Sequence, residues 1–424
     1  MKILVIGSGG REDAIIRACL KSQKCSEVIA CPGNDGVAER VRCIPTTLSK
    51  PTDNAVQAVI ENLGSMVESM SIDLTIVGQR QYFAQGIVNG FQKRGLRIYG
   101  PTMEDAEIES KKEVMKNLAR KLGVPTAEFQ VCRSIEEVDD FLDQKMGQWQ
   151  RFVIKDSEAL DGHSVFIVDH PYQVQRFARI FFSRSKNPLL IENYLEGPEK
   201  SAFAFVHKGK FRFWCLIDDW KMLFDGDMGP TTGSMGSASA NQNNQKLIDA
   251  VCTQIFSPFV SAMPNYTGVL YAGLKIPPDG PKLLEFNAGF GDSETQVTLA
   301  RLESDFVEHI EAAIDGRLDE INCRWSREVA VAVTLVPWGY PKTEFTGFKI
   351  DGIEQAEQVP SVEVLFAGVD GDRKQGYRTK TNRSLNVLAK GQDFHQARER
   401  AYQAIDCIQF PGMHYRKDIA KEFE

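Results

Sequence analysis

Nothing in the 424 residues is apolar for long enough to cross a bilayer, since no run approaches the roughly 18 residues that spanning requires. The opening segment MKILVIGSGGRED turns at glycines after a short apolar stretch. It lacks the longer core and small-residue cleavage site of a secretory signal, so a cytoplasmic protein that does not engage a membrane is expected. Basic charge is in deficit. Fifty lysines and arginines face 57 acidic residues, a formal charge of −7, which argues against a nucleic-acid partner while leaving room for a local basic pocket. The nine cysteines (Cys19, Cys25, Cys31, Cys43, Cys132, Cys215, Cys252, Cys323 and Cys407) form no CxxC pair, and the six histidines are dispersed. Neither a zinc site nor a thioredoxin motif is indicated, and the cysteines read as reduced, half-buried apolar residues. There is no internal repeat and no low-complexity segment.

What is present is a globular balance of 42% apolar and 25% charged residues, in a chain long enough for two to four domains. The first hundred residues alternate strand and helix. Residues 2–6 are a β-branched run closed by Gly7-Ser8-Gly9-Gly10, residues 11–21 are amphipathic, and residues 27–31 and 74–77 read as further strands. This pattern predicts a parallel α/β sheet with right-handed crossovers, whose ligands gather at the carboxyl ends of its strands. The candidate ligand loops are therefore 7–12, 32–36 and 78–82. A charged helix is expected over 104–122, ended by Gly123 and Pro125. Strands are expected at 152–154, 164–168, 268–274, 282–286 and 329–336, and a helix at about 393–408. The expected partition is an N-terminal substrate-binding α/β domain (1–103), a two-part central domain (104–325, with a mobile lid at about 124–190) and a small α+β C-terminal domain (326–424).

Five constellations can carry chemistry. Gly9 and Gly10, before Arg11 and Glu12, sit at a strand-to-helix turn where backbone N–H groups can face an anion. Lys112 lies on the charged helix. Lys155 closes the apolar run 152–154, where a buried charge needs an anionic partner such as a nucleotide phosphate. Glu192 and Glu199 follow the apolar run 189–191, while Glu285 and Asn287, two apart on one strand, share a face and offer hard oxygen donors suited to Mg²⁺. The stretch 225–236, with Asp227, holds four glycines and reads as a mobile loop walling a site. Gly289-Phe-Gly-Asp292-Ser-Glu294 follows the proposed metal pair.

Taken in this order, the segments resemble the phosphoribosylamine–glycine ligase family of ATP-grasp enzymes along essentially the whole chain. The resemblance rests on VIGSGGRE (5–12), PGNDG (32–36), LTIVG (74–78), IENYLEG (191–197), DGDMGPTTG (225–233), LEFN (284–287), FGDSETQ (290–296) and YRKDIA (415–420), among others. It implies an N-terminal parallel-sheet (pre-ATP-grasp) domain and an ATP-grasp domain using ATP with Mg²⁺ (or Mn²⁺). It also implies condensation of a small carboxylate with an amine, such as a phosphoribosyl amine, through an acyl phosphate, in a monomer or homodimer. By position, Lys112 and Lys155 would meet the phosphates, Glu192 and Leu195 the adenine, Glu199 the ribose, and Glu285 with Asn287 the metal. Lys155, Asp292, Glu294 and His163 would serve catalysis. Gly9, Gly10, Arg11, Glu12, Asn34, Gly78, Arg80, Asp219, Lys221 and Asp227 would serve the substrates.

The chain departs from the family pattern in several loops. Asp13 replaces a histidine, Gln79-Arg80 replaces Pro-Glu, and residues 155–165 lose a lysine and two glycines. Residues 218–222 lose a histidine and an arginine, Gly289 replaces an arginine, and Arg383-Ser384-Leu385 replaces Gly-Gly-Arg. Arg80 is the candidate to stand in space for the arginine missing at 289. Three functions remain open: the family reaction, a specialised ligase with another acid or amine, and a nucleotide-binding homologue without catalysis.

Overall fold

The computed structural model describes residues 1–46, 53–145, 147–158, 165–240, 244–343 and 345–424, side chains of 53–55 aside. Its first sheet is wholly parallel, in the order β3-β2-β1-β4-β5: β1 (Lys2–Gly7), β2 (Glu27–Pro32), β3 (Arg42–Cys43), β4 (Leu74–Val77) and β5 (Ile98–Tyr99). The sheet is covered on both faces, so its strands are continuous apolar runs, with Ile3, Leu4, Val5 and Ile6 fully buried.

A small antiparallel sheet follows, ordered β6-β9-β7-β8: β6 (Phe129–Cys132), β7 (Phe152–Asp156), β8 (Val165–Val168) and β9 (Leu189–Asn193). Helices Ile135–Lys145 and Pro171–Phe182 pack on it through a core that includes Val138, Phe141, Phe152 and Val174.

The largest sheet has eight antiparallel strands: β10 (Glu199–His207), β11 (Lys210–Phe224), β12 (Met228–Ser239), β13 (Thr267–Lys275), β14 (Lys282–Asn287), β15 (Val329–Leu335), and two later strands. In chain order the remaining strands are β16 (Lys349–Ile350), β17 (Val362–Phe366), β18 (Val369–Asp372), β19 (Gly376–Thr379) and β20 (Leu385–Gly391). The sheet order β14-β13-β10-β11-β12-β15-β20-β17 joins the central and C-terminal regions through the β12–β15 pairing. A separate sheet, β16-β19-β18, completes the C-terminal region.

Two expectations need correction. The helix expected over 104–122 is broken into Glu107–Ser110 and Lys112–Leu122, with Lys111 extended between them at φ −127° and ψ 91°. The second helix starts against the small sheet: Lys112 N–H donates to Ser157 O (2.8 Å) and Glu113 N–H to Ser157 Oγ (3.0 Å), satisfying two of its first-turn donors. The glycine-rich stretch 225–236 is largely strand β12, not a loop. Its turn is confined to 225–227, where Gly226 (φ 69°) and Asp227 (φ 55°) are left-handed. The glycines fit a strand because neighbours press on it: a Cβ at Gly236 would lie 2.6 Å from Ala332 O.

The N-terminal unit docks on the C-terminal strands at the start of helix Gly10–Lys21. Asp13 is fully buried, accepts the Phe366 N–H (2.9 Å) and pairs with Arg17 (3.1 Å), which in turn donates to Val364 O. The departure at Asp13 thus serves domain docking. A Cβ at Gly10 would lie 2.1 Å from Asn386 Oδ1, and Asn386 is itself held by Thr334 and Gln296. Gly10→Ala should therefore destabilise the chain by ~1–3 kcal/mol through overpacking, against the usual helical preference for alanine. Urea denaturation would check this, a neutral or stabilising result showing that Asn386 yields.

Candidate active site

A cleft of about 370 Å³ opens where the three regions meet. Part of its wall is apolar, formed by Ile108, Met115, Val153, Val165, Ile167 and Leu195, and the rest is ionic. An apolar slot leading to fixed charges suits a flat base attached to a polyanion.

The ionic half is built on strand ends. Lys155, on β7, is buried, and its Nζ lies 3.1 Å from both carboxylate oxygens of Glu192 on β9. Lys116, fully buried one helical turn after Lys112, reaches the same carboxylate at 3.1 Å and donates to Thr126 Oγ1 at 2.7 Å. Burial opposes the charge of Glu192, but the two lysines outweigh it and lower its pKa. For Lys116 burial dominates, and the neighbouring Lys155 adds to it, so its pKa falls to about 8 despite Glu192. Two cations on one carboxylate leave an excess positive charge facing the cleft.

Glu285 and Asn287, on β14, both line the cleft, with Asn287 Nδ2 3.4 Å from Glu285 Oε1. Burial raises the Glu285 pKa, yet Lys221, Lys155, Lys112 and Arg80 together bring it down to about 2. An ionised carboxylate and an amide oxygen on one strand face fit a magnesium ion that keeps other positions for phosphate and water. Glu199, at the start of β10, lies 3.2 Å from Lys275 Nζ at the outer rim. Lys221, on β11, is 3.1 Å from Tyr271 Oη, and Asp219 beneath it accepts from Ser234 Oγ at 2.6 Å. Burial and the nearby Glu294 push the Asp219 carboxyl up to about 7. Asp292 pairs with Arg383 (3.1 Å), and Glu294 accepts from Ser201 Oγ (3.2 Å).

The remaining expected site residues separate into those at the cleft and those away from it. Arg11 and Arg80 line it. Arg11 donates to Phe290 O (2.9 Å) and Glu12 Oε1 (2.7 Å), linking the glycine turn to the 289–292 loop. Gly9, Gly10, Glu12, Asn34 and Gly78 are not among the described residues lining it. Glu12 accepts the Gly9 N–H (2.6 Å), and a Cβ at Gly78 would strike its Oε1 at 2.2 Å, so the glycine turn wraps its own carboxylate. Asn34 donates to Ser8 O and Phe366 O and accepts from Val37 N–H, which fastens loops together. Asp219 lies under the cleft floor. Asp227 is a correction: it sits at the exposed β11–β12 tip, paired with Arg416 at 2.7 Å and outside the cleft. His163 lies outside the described residues, as do its neighbours 159–162 and Ser164.

Several contributors were not expected. Lys116 carried a signal, being four residues after Lys112 on the same helix face. Glu109, Tyr271, Tyr340 and Arg383 carried none, because they arrive from four distant chain segments.

Models of the phosphoribosylglycinamide synthetase N domain, ATP-grasp (A) domain and C domain match residues 1–109, 110–295 and 330–422. The chain belongs to the phosphoribosylamine–glycine ligase family. It is 34% identical over 430 residues to the phosphoribosylamine–glycine ligase of Caldanaerobacter subterraneus, covering 99% of each chain, and 35% identical over 431 residues to that of Neisseria meningitidis serogroup A, again covering 99% of each. The solved ligase from Thermotoga maritima superimposes with a TM-score of 0.81 at 26% identity, covering 99% of this chain and 100% of that one. An L-amino acid ligase from Bacillus licheniformis, at 15% identity and a TM-score of 0.67, shares the fold over 96% of this chain and 98% of its own. The three-domain ATP-grasp architecture is therefore that of the family, and among the described residues no helix is long and apolar enough to cross a membrane.

The depressed Lys116 sets a pH test. Below pH about 8 it is charged in folded and unfolded chains alike, and its burial costs stability. Between about 8 and the ordinary 10.5 the folded chain releases a proton that the unfolded chain keeps. Stability should rise with pH across this window, by at most ~1.4 kcal/mol per pH unit, and this rise should be missing from Lys116→Met. Parallel urea titrations of the two proteins at pH 7.5–10.5 would show it, and identical slopes would contradict it.

Proposed function

We propose that the chain is an ATP-dependent carbon–nitrogen ligase that joins a small amino acid, glycine first, to a phosphoribosyl amine, as in purine biosynthesis, in the cytoplasm. The observation that carries this is the junction of an apolar slot with one ionised carboxylate, Glu285, ringed by Lys112, Lys155, Lys221 and Arg80. Lys112 and Lys155 hold the triphosphate, with Lys116 behind them balancing Glu192, while Leu195 and Glu192 flank the base and Glu199 takes the ribose. Glu285 and Asn287 hold Mg²⁺, which when bound neutralises phosphate oxygens and polarises the transferring group.

A carboxylate oxygen attacks the γ-phosphorus, the bond to the β-phosphate oxygen breaks, and ADP leaves. The amine nitrogen then attacks the acyl carbon, the carbon–oxygen bond to phosphate breaks, and an amide forms. In this reading Asp292 or Glu294 takes the proton that nitrogen loses, both lining the cleft. The chemistry needs this route because a carboxylate and an amine do not condense in water, whereas an acyl phosphate has a good leaving group; the cleft contributes position and charge. We take the working units as residues 1–103, 104–325 and 326–424, the lid at about 124–190 closing on the nucleotide.

A second reading, another small acid or amine, is favoured by the substituted loops: Met222 lines the cleft and Gly289 adds no side chain. Release of ADP with Mg-ATP, phosphoribosylamine made in situ and a panel of amino acids separates the two. Strict dependence on glycine gives the family reaction, and preference for another acid gives the second. Glu285→Gln should lower kcat at least ~10²-fold, since an electrostatic contact confined to the reacting phosphate is worth that much. ADP release by the wild type with no acid on the panel would refute the ligase assignment.

A further inference from the structure

Arg80 stands three residues past the carboxyl end of β4, and with Arg11 it reaches from the N-terminal region into a cleft lined mostly by the central region. Its side chain lies directly over Gly289: a Cβ there would meet Arg80 Cγ at 3.2 Å, Arg80 Cδ at 3.6 Å and Phe83 Cε2 at 3.1 Å. The guanidinium is held by charge but not tied up. Nη1 lies 2.8 Å from Glu109 Oε1, too poorly aligned for a hydrogen bond, and it is buried without another partner. Glu109 is itself fixed, its Oε2 accepting the Ala288 N–H at 2.8 Å. Beyond this ion pair to Glu109, Arg80 makes no hydrogen bond to any described residue, while its carbon stem packs over Gly289. A planar fork of donors in that state matches a planar or tetrahedral oxyanion.

Resting on the ligase reading above, we propose that Arg80 is the oxyanion clamp of this cleft, gripping the substrate carboxylate or the phosphoryl group it receives, and that Gly289 is the space that admits it. Both positions depart from the family pattern together, glutamate giving way to arginine at 80 and arginine to glycine at 289. The guanidinium has moved from the ATP-grasp loop to the N-terminal domain, so gripping the anion requires the two domains to be docked.

The test compares wild type, Arg80→Ala, Arg80→Lys and the double variant Arg80→Ala/Gly289→Arg. It measures ADP and AMPPNP binding by calorimetry and the KM of the accepted acid by ADP release. Arg80→Ala should keep ADP affinity and lose ~10- to 100-fold elsewhere. Loss in AMPPNP affinity places the clamp on the phosphoryl group, and loss in acid KM places it on the carboxylate. Arg80→Lys keeps a charge beside Glu109 and should still lose most of the effect, which keeps the test valid should the alanine variant fold poorly. Gly289→Arg in the Arg80→Ala background should recover at least ~10-fold. Unchanged AMPPNP affinity and acid KM in Arg80→Ala and Arg80→Lys would overturn the proposal. So would loss without recovery in the double variant, since Arg80 would then be a strut at the Glu109 junction. A wild type that binds AMPPNP but ligates no acid would refute the ligase reading and leave the nucleotide arm to decide Arg80.

Discussion

The site depends on one buried carboxylate held between two lysines. Glu192 belongs to the small sheet, Lys155 to the strand beside it, and Lys116 to a helix of the neighbouring core, so the cluster ties the small sheet to that core at the wall of the cleft. A pair this deep adds little stability by itself, because desolvation offsets the Coulomb attraction. Its value is functional: the second lysine overcompensates Glu192 and leaves a standing positive charge. The same logic recurs at Glu285, where four cations keep a carboxylate ionised.

The loops that depart from the family pattern divide physically. Asp13 is buried in an ion-paired contact that docks helix Gly10–Lys21 on β17, so its exchange for histidine changes a domain junction. Arg383 takes over a cleft wall, paired with Asp292 and donating to its backbone carbonyl. Arg80 and Gly289 change together. Two of the departures, Arg80 and Arg383, thus bring positive charge to the cleft, whereas Asp13 belongs to a domain junction.

Much of this was legible in the chain. The parallel sheet could be read from the buried apolar runs at 2–6, 27–31 and 74–77, and the shared strand face of Glu285 and Asn287 from their two-residue spacing. Lys155 stood out because a charge ends an apolar run. The two-residue strands β3 and β5 were too short to leave a periodic signal, and β12 read as a loop because its Gly236 answers to close approach by Ala332 and Ile419, which local sequence does not encode. The helix break at Lys111 likewise depends on Ser157, 46 residues away in the chain.

By itself, the sequence determined the longer apolar strands and which side chains carry charge at their ends, because periodicity and strand-end chemistry are local properties. Tertiary structure decided which of those charges meet. Gly9, Gly10, Asn34 and Gly78 turned out to seat other residues, Asp227 went to an exposed hairpin tip, and Arg80 came to lie over Gly289. Contacts such as Gly10 with Asn386 and Arg80 with Gly289 join segments hundreds of residues apart, so they form only once those segments have packed together.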